Sequence, residues 1–90
     1  MIMKQKELLK ITYESLDKNS QIIAIKDGML DAAKQGKTDY EGRIEPEYLL
    51  IDEDAFVSYF GDLGYYVRTE YSKRKGLKFF IGWGNLIYEN

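Results

Sequence analysis

Apolar positions recur at helical spacing in three stretches and alternate with polar ones in three others. Leu8, Leu9, Thr12, Tyr13 and Leu16 share one side of a 3.6-residue repeat, with Lys and Glu on the other, so residues 4–17 read as an amphipathic helix. Asn19 and Ser20 punctuate it. Ser20 reads as the N-cap of a second helix whose stripe is Ile22, Ile25, Met29, Ala32 and Ala33, widened by Ile23 and Leu30 and closed by Gly36 at C′. The two segments are two helices or one bent helix. Gly28, inside the second, marks a close contact or a weak point, since glycine costs about 1 kcal/mol against alanine in a helix interior.

Thr38 to Ile44 reads as a strand with Tyr40 and Ile44 on one side and Asp39, Glu41 and Arg43 on the other. Gly42 marks a bulge or an edge in it, and Pro46 prevents its continuation as a central strand. Asp52 then caps a third helix in which Phe56, Tyr59, Phe60 and Leu63 follow the i, i+3, i+4, i+7 spacing of a core-facing stripe, stopped at Gly64. A hairpin follows. Tyr65, Val67, Thr69 and Tyr71 alternate against Tyr66, Arg68 and Glu70; Ser72 to Gly76 connects; Leu77, Phe79, Ile81 and Trp83 alternate against Lys78, Phe80 and Gly82. The expected fold is a single α+β domain over residues 1–90: two N-terminal helices, or one bent helix, then strand, helix, strand, strand. Its small antiparallel sheet is covered on one face by helices.

Ala32-Ala33-Lys34-Gln35-Gly36, Leu63-Gly64-Tyr65, Val67 and Ile81-Gly82-Trp83-Gly84-Asn85 together form a pattern over about residues 29–85. It resembles the tail of many small proteins encoded by phages of Gram-positive bacteria, most with no assigned function. The resemblance implies a phage or prophage origin and a short accessory protein that binds something of the host. It carries no catalytic residues across.

Composition narrows the chemistry. The chain has no histidine and no cysteine, which excludes Ser-His-Asp and Cys-His nucleophile systems, thiolate chemistry, disulfides and ordinary zinc sites. Chemistry would have to run on carboxylates, lysines or tyrosines, and the expectation is a protein that is not an enzyme and holds no cofactor. Residues 1–10 are half polar, neither a signal peptide nor a membrane span, and the expected location is the cytoplasm of a bacterial host cell.

The net charge of −2 conceals segregation: residues 1–37 carry +2, residues 38–64 carry −7 and residues 65–90 carry +3. Such asymmetry bears on partners and not on fold. Asp52, Glu53 and Asp54, with Glu45 and Glu47 nearby, lack the EF-hand spacing and suit a helix N-terminus better than a cation site. Paired carboxylates for sugar hydrolysis have little room for a substrate cleft in 90 residues.

Three binding readings follow. In the first, Asp39, Glu41, Glu45, Glu47, Asp52, Glu53 and Asp54 supply an acidic field, and Tyr48, Tyr66 and Phe80 supply contact area. The protein would inhibit or modulate a host protein in host takeover, with a basic DNA-binding (nucleoid) protein blocked by an acidic DNA mimic as the sharpest version. A two-fold homodimer would lengthen the mimic. In the second, the turn at Lys73, Arg74 and Lys75 with Lys78, Tyr66 and Phe80 forms a weak nucleic-acid surface; a pI of 5.1 counts against direct nucleic-acid binding. In the third, the N-terminal helices pair between copies in a virion assembly. Of the eight tyrosines, Tyr40, Tyr48, Tyr66 and Tyr88 are the least constrained by the periodic faces.

Overall fold

The computed structural model describes residues 4–84. Asn85 and Tyr88, which figure in the readings above, lie outside those residues. The element order is α1 (Gln5–Asp17), α2 (Ser20–Lys34), β1 (Asp39–Ile44), a 3₁₀ turn (Pro46–Tyr48), α3 (Glu53–Asp62), β2 (Tyr66–Ser72) and β3 (Gly76–Gly82). The α+β architecture is as the periodicity requires, with two separate N-terminal helices.

The cap of α2 is Asn19 and not Ser20. The Asn19 carboxamide oxygen accepts from the Gln21 and Ile22 amides at 2.8 and 3.2 Å, which places Ser20 inside the first turn. Asp52 caps α3 as its position suggests, accepting from the Ala55 amide at 3.2 Å.

The sheet order is β1-β3-β2, with both pairings antiparallel. β1 and β2 therefore run parallel to one another, joined by the crossover through α3, and the hairpin inserts β3 between them. The central position of β3 explains why Leu77 and Ile81 are fully buried and Phe79 nearly so. Gly42 sits on an edge strand, as read, and the register from Asp39 opposite Gly82 to Ile44 opposite Leu77 runs through it without a bulge.

The helices cover the face that carries Leu77, Phe79 and Ile81. α2 lies over β1 and α3 over β2, closing a cluster of Ile22, Ile25, Met29, Phe56, Tyr59 and Phe60 on that face. Gly28 is a point of close approach: a Cβ there would lie 2.8 Å from Cε1 of Tyr40, so the missing side chain is what lets the Tyr40 ring pass beneath α2. The same ring reaches Phe79, at 6.0 Å between centroids.

Several positions assigned to the core by spacing are at the surface. Leu63 is 57% exposed; Leu8, Ile23, Leu30 and Tyr71 are exposed as well, and so is Ala33. Spacing identifies side chains that share a face, whereas burial requires another element opposite that face. Leu63 is the C-cap just past the end of α3, where the chain turns through Gly64 toward β2.

α1 is the most lightly attached of the three α-helices, and Leu16 is its one buried residue. Polar side chains hold it. The Tyr13 hydroxyl donates to Asp62 at the end of α3, and Tyr59 donates to Asp17 while accepting from Lys26. The hydrogen bond to Asp62, with lesser contributions from burial and from the carboxylate charge, pushes the Tyr13 phenol up from 10.0 to about 12. Burial is the main cause that raises Tyr59, and the hydrogen bond that Lys26 donates to the Tyr59 hydroxyl is the main cause that raises Lys26.

A folded-state value above the unfolded one means that the Tyr13 contribution is complete below pH 10 and is lost as pH rises through about 12. Phenolate absorbance checks this. Tyr13→Phe is expected to remove one tyrosine from the late end of the alkaline titration, and an unchanged late amplitude would contradict the bond to Asp62.

Candidate functional site

Strand alternation distributes the first two acidic candidates. Residues pointing away from the helices form three rows across the sheet: Asp39, Gly82 and Tyr66; Glu41, Phe80 and Arg68; Arg43, Lys78 and Glu70. In the middle row the Arg68 guanidinium lies 5.2 Å from the Phe80 ring centroid, and Tyr66 meets Phe80 edge-on at 6.1 Å. Asp39, Glu41 and Glu70 face Arg43, Arg68 and Lys78 on this surface, so its charges balance. The outward aromatic pair is where the alternation places it, and Phe80 is half-buried there.

The remaining acidic candidates are on a different surface. Pro46 has no amide hydrogen to donate to a ladder, so β1 stops at Ile44 and the chain turns through Pro46–Tyr48, with the Tyr48 amide bonded to the Glu45 carbonyl at 3.0 Å. Gln21 of α2 clamps the turn: its side-chain amide donates to the Tyr48 carbonyl, and its oxygen accepts from the Leu50 amide at 3.4 Å. Ile51 then plugs into the core and Leu49 packs at its margin. With its neighbours turned inward, Leu50 is left 79% exposed, and Tyr48 is 65% exposed.

Leu50, Tyr71 and the first turn of α3 line a shallow depression of about 490 Å³ together with Leu49 and Ile51. Three carboxylates, Asp52, Glu53 and Asp54, belong to its wall. Two of these have local tasks. Asp52 is the helix cap, and Glu53 accepts from the Thr69 hydroxyl of β2 at 2.8 Å, tying α3 to the sheet. Asp54 is exposed, as is Glu47 on the neighbouring turn. Glu45 makes a long ion pair with Arg43 at 3.9 Å. The α3 dipole favours acids at this end of the helix and offsets part of their field.

The structure thus brings Glu45, Glu47, Tyr48, Asp52, Glu53 and Asp54 to one end of the domain and leaves Asp39, Glu41, Tyr66 and Phe80 on the outer sheet face. Ile44 pairs with Leu77 and Tyr71 with Leu77, so the basic turn at Lys73, Arg74 and Lys75 lies at the acidic end too. Leu50 and Tyr71 were not among the sequence candidates. The run Leu49-Leu50-Ile51 held a signal for Leu50, because three consecutive apolar residues in an extended loop cannot all face inward. Tyr71 reads as a core residue by alternation and is exposed because it lies at the sheet's end.

Among the described residues no group of three or more carboxylates is arranged to hold a metal ion, and no helix is long and apolar enough to cross a membrane. Comparison with protein-family models, curated proteins and solved structures gives no match to this chain.

Proposed function

We propose that this domain is a non-enzymatic binding module whose acidic end takes a basic, amphipathic segment of a protein partner. The observation that carries the reading is Leu50, 79% exposed and set in a depression beside Tyr71 and the carboxylates of Asp52, Glu53 and Asp54. An exposed aliphatic and a tyrosine supply apolar contact area at low entropic cost. Carboxylates at the wall select lysine and arginine on the occupant and steer its approach. The resemblance to phage-encoded proteins is the reason to take the partner as a protein of a bacterial host and the outcome as inhibition or modulation of it.

The geometry favours a compact basic segment over a duplex-like row of charges. Phosphate mimicry needs carboxylates in one continuous line, and here Asp39 and Glu41 are interleaved with Arg43, Lys78 and Arg68 on a separate face. At this end Glu45, Glu47, Asp52, Glu53 and Asp54 outnumber the basic side chains of Lys73, Arg74 and Lys75, and the net repulsion of phosphates opposes direct nucleic-acid binding there.

The test uses the full chain as bait in a Gram-positive host lysate, with elution on a salt gradient. A protein rich in Lys and Arg is expected to elute at moderate salt from the native chain and to be lost, by at least about tenfold, from Leu50→Ser and from Glu47→Lys combined with Asp54→Lys. All three positions are exposed, so the fold should tolerate the changes. Equal retention by these variants, or a gel shift of DNA or RNA at low salt by the native chain, would overturn the reading.

A further inference from the structure

The helices lie on the face of the sheet that carries Leu77, Phe79 and Ile81, and among the described residues none covers the opposite face. At the centre of that open face stands Phe80, a half-buried ring on the middle strand, with Tyr66 beside it 41% exposed. Glu41, Arg43, Arg68, Glu70 and Lys78 around them are all exposed. An aromatic pair ringed by charges has the anatomy of an interface core and its rim.

The order of those charges says what fits there. β1 and β2 run parallel on either side of β3, and in one direction β1 presents Asp39, Glu41 and Arg43 while β2 presents Tyr66, Arg68 and Glu70. In both rows where the two outer strands carry a charge, the signs are opposite: Glu41 with Arg68, and Arg43 with Glu70. The members of each row are two strand spacings apart, about 10 Å between backbones, with a β3 residue between them. Rotation by 180° about an axis along β3 exchanges β1 with β2. Two such faces laid together therefore bring each glutamate onto an arginine.

We propose that the chain forms a two-fold homodimer through this outer sheet face, with Phe80 on the partner's Phe80, Glu41 opposite the partner's Arg68 and Arg43 opposite the partner's Glu70. Each ion pair occurs twice, as a closed two-fold interface requires. Face-to-face sheets lie about 10 Å apart with their strands within about 30° of one another, a gap that these side chains span. The other two-fold axis, across the strands, would set Glu41 on the partner's Glu41 and Arg68 on the partner's Arg68, so the charges select one arrangement. Asp39 then meets the partner's Tyr66, with no like charge between them. Lys78 lies on the axis opposite the partner's Lys78, and its long side chain can turn aside to Glu70, its neighbour in register.

Three strands about 4.8 Å apart and seven residues rising about 3.3 Å each give a face of about 14 by 23 Å. That falls short of the standard of about 800 Å² per partner, so the dimer is weak, with a Kd of about 10–100 μM, and loosens as salt rises. The reading of the acidic end does not enter this argument. Leu50 shares its depression with the first turn of α3, on the helix side of the sheet, and stays open in the dimer.

Light-scattering mass across a concentration series tests the proposal without any other partner. The native chain is expected to move from 10.5 kDa toward twice that mass as concentration rises. Glu41→Arg and Arg68→Glu should each weaken association by at least about tenfold, and Phe80→Thr at least as much, while circular dichroism shows the fold retained. Mixed in equal amounts, the two charge-reversed chains should associate with each other, because every facing Glu41–Arg68 position again holds opposite charges. A merely structural effect of either substitution would not be reversed by mixing. A monomer up to about millimolar concentration would overturn the proposal. So would a dimer indifferent to both reversals, or reversed chains that stay monomeric when mixed. A gel shift of single-stranded DNA or RNA that Phe80→Thr removes would assign the face to nucleic acid and overturn it as well.

Discussion

Replacing Gly76 with alanine is expected to remove about 3–5 kcal/mol of stability, a large part of the total of roughly 5–15 kcal/mol typical of a domain. Two costs combine. Gly76 has φ +86°, where an L side chain is disfavoured by about 1–2 kcal/mol. A Cβ would also run into the Ile44 carbonyl oxygen and lie 2.9 Å from the Pro46 nitrogen. These are backbone atoms at the junction of β1 and the 3₁₀ turn, so room can be made only by pulling the end of β1 away from β3.

Gly36 supplies the control, with φ +85° and nothing within 4 Å of its would-be Cβ. Gly36→Ala should show the conformational cost alone. Urea denaturation of the two variants separates the contributions: Gly76→Ala losing no more stability than Gly36→Ala would mean that the close approach of the turns carries no energy. The consequence extends to the candidate site, because the displaced segment leads directly to Glu47, Tyr48 and Leu50.

Phe56→Ala is expected to cost about 3–5 kcal/mol, the range for truncating a large buried ring. Phe56 is fully buried between helix and sheet, with its centroid 5.1 Å from that of Phe60 and 5.4 Å from that of Phe79. Removing it leaves a cavity at the contact that holds α3 onto β3, and few neighbours can collapse into it because the surrounding rings pack against one another. For a domain of this size the melting temperature should fall by roughly 15–30 °C. Leu63→Ala belongs to the same helical repeat, and the sequence ranks it with Phe56; its exposure predicts a change within about 1 kcal/mol. Thermal melts at low protein concentration decide between them, and equal losses would contradict the placement of Leu63 at the surface.

Particular residues show where sequence reading reached and where it stopped. The alternation of Leu77, Phe79 and Ile81 identified the buried face of β3, because a strand's side chains have only two directions to choose from. The Asp52 cap was legible for the same local reason, and the choice between Asn19 and Ser20 slipped by one residue because both are good caps side by side. Leu8, Leu30 and Leu63 were misplaced by a rule that works only when another element stands opposite. Tyr71 followed its alternation correctly and still faces solvent, since the strand outruns its cover there. Gly28 was marked as a close contact by sequence, but only the fold identifies the Tyr40 ring as the contact.

By itself the sequence determined which segments are helical and which are strands, their faces and the concentration of negative charge in residues 38–64, because all of these depend on neighbours within a few positions along the chain; it left open whether the first two helical segments are one bent helix or two. Tertiary structure alone decided that β3 enters between β1 and β2, and that Asp39 and Glu41 part from Glu47, Asp52 and Asp54 at the Pro46 turn. It also decided that Leu50 shares a depression with Tyr71, from a strand some twenty residues onward. A surface is made of segments remote in sequence, and their juxtaposition follows from which apolar faces bury one another, a property of the whole chain that no local pattern contains.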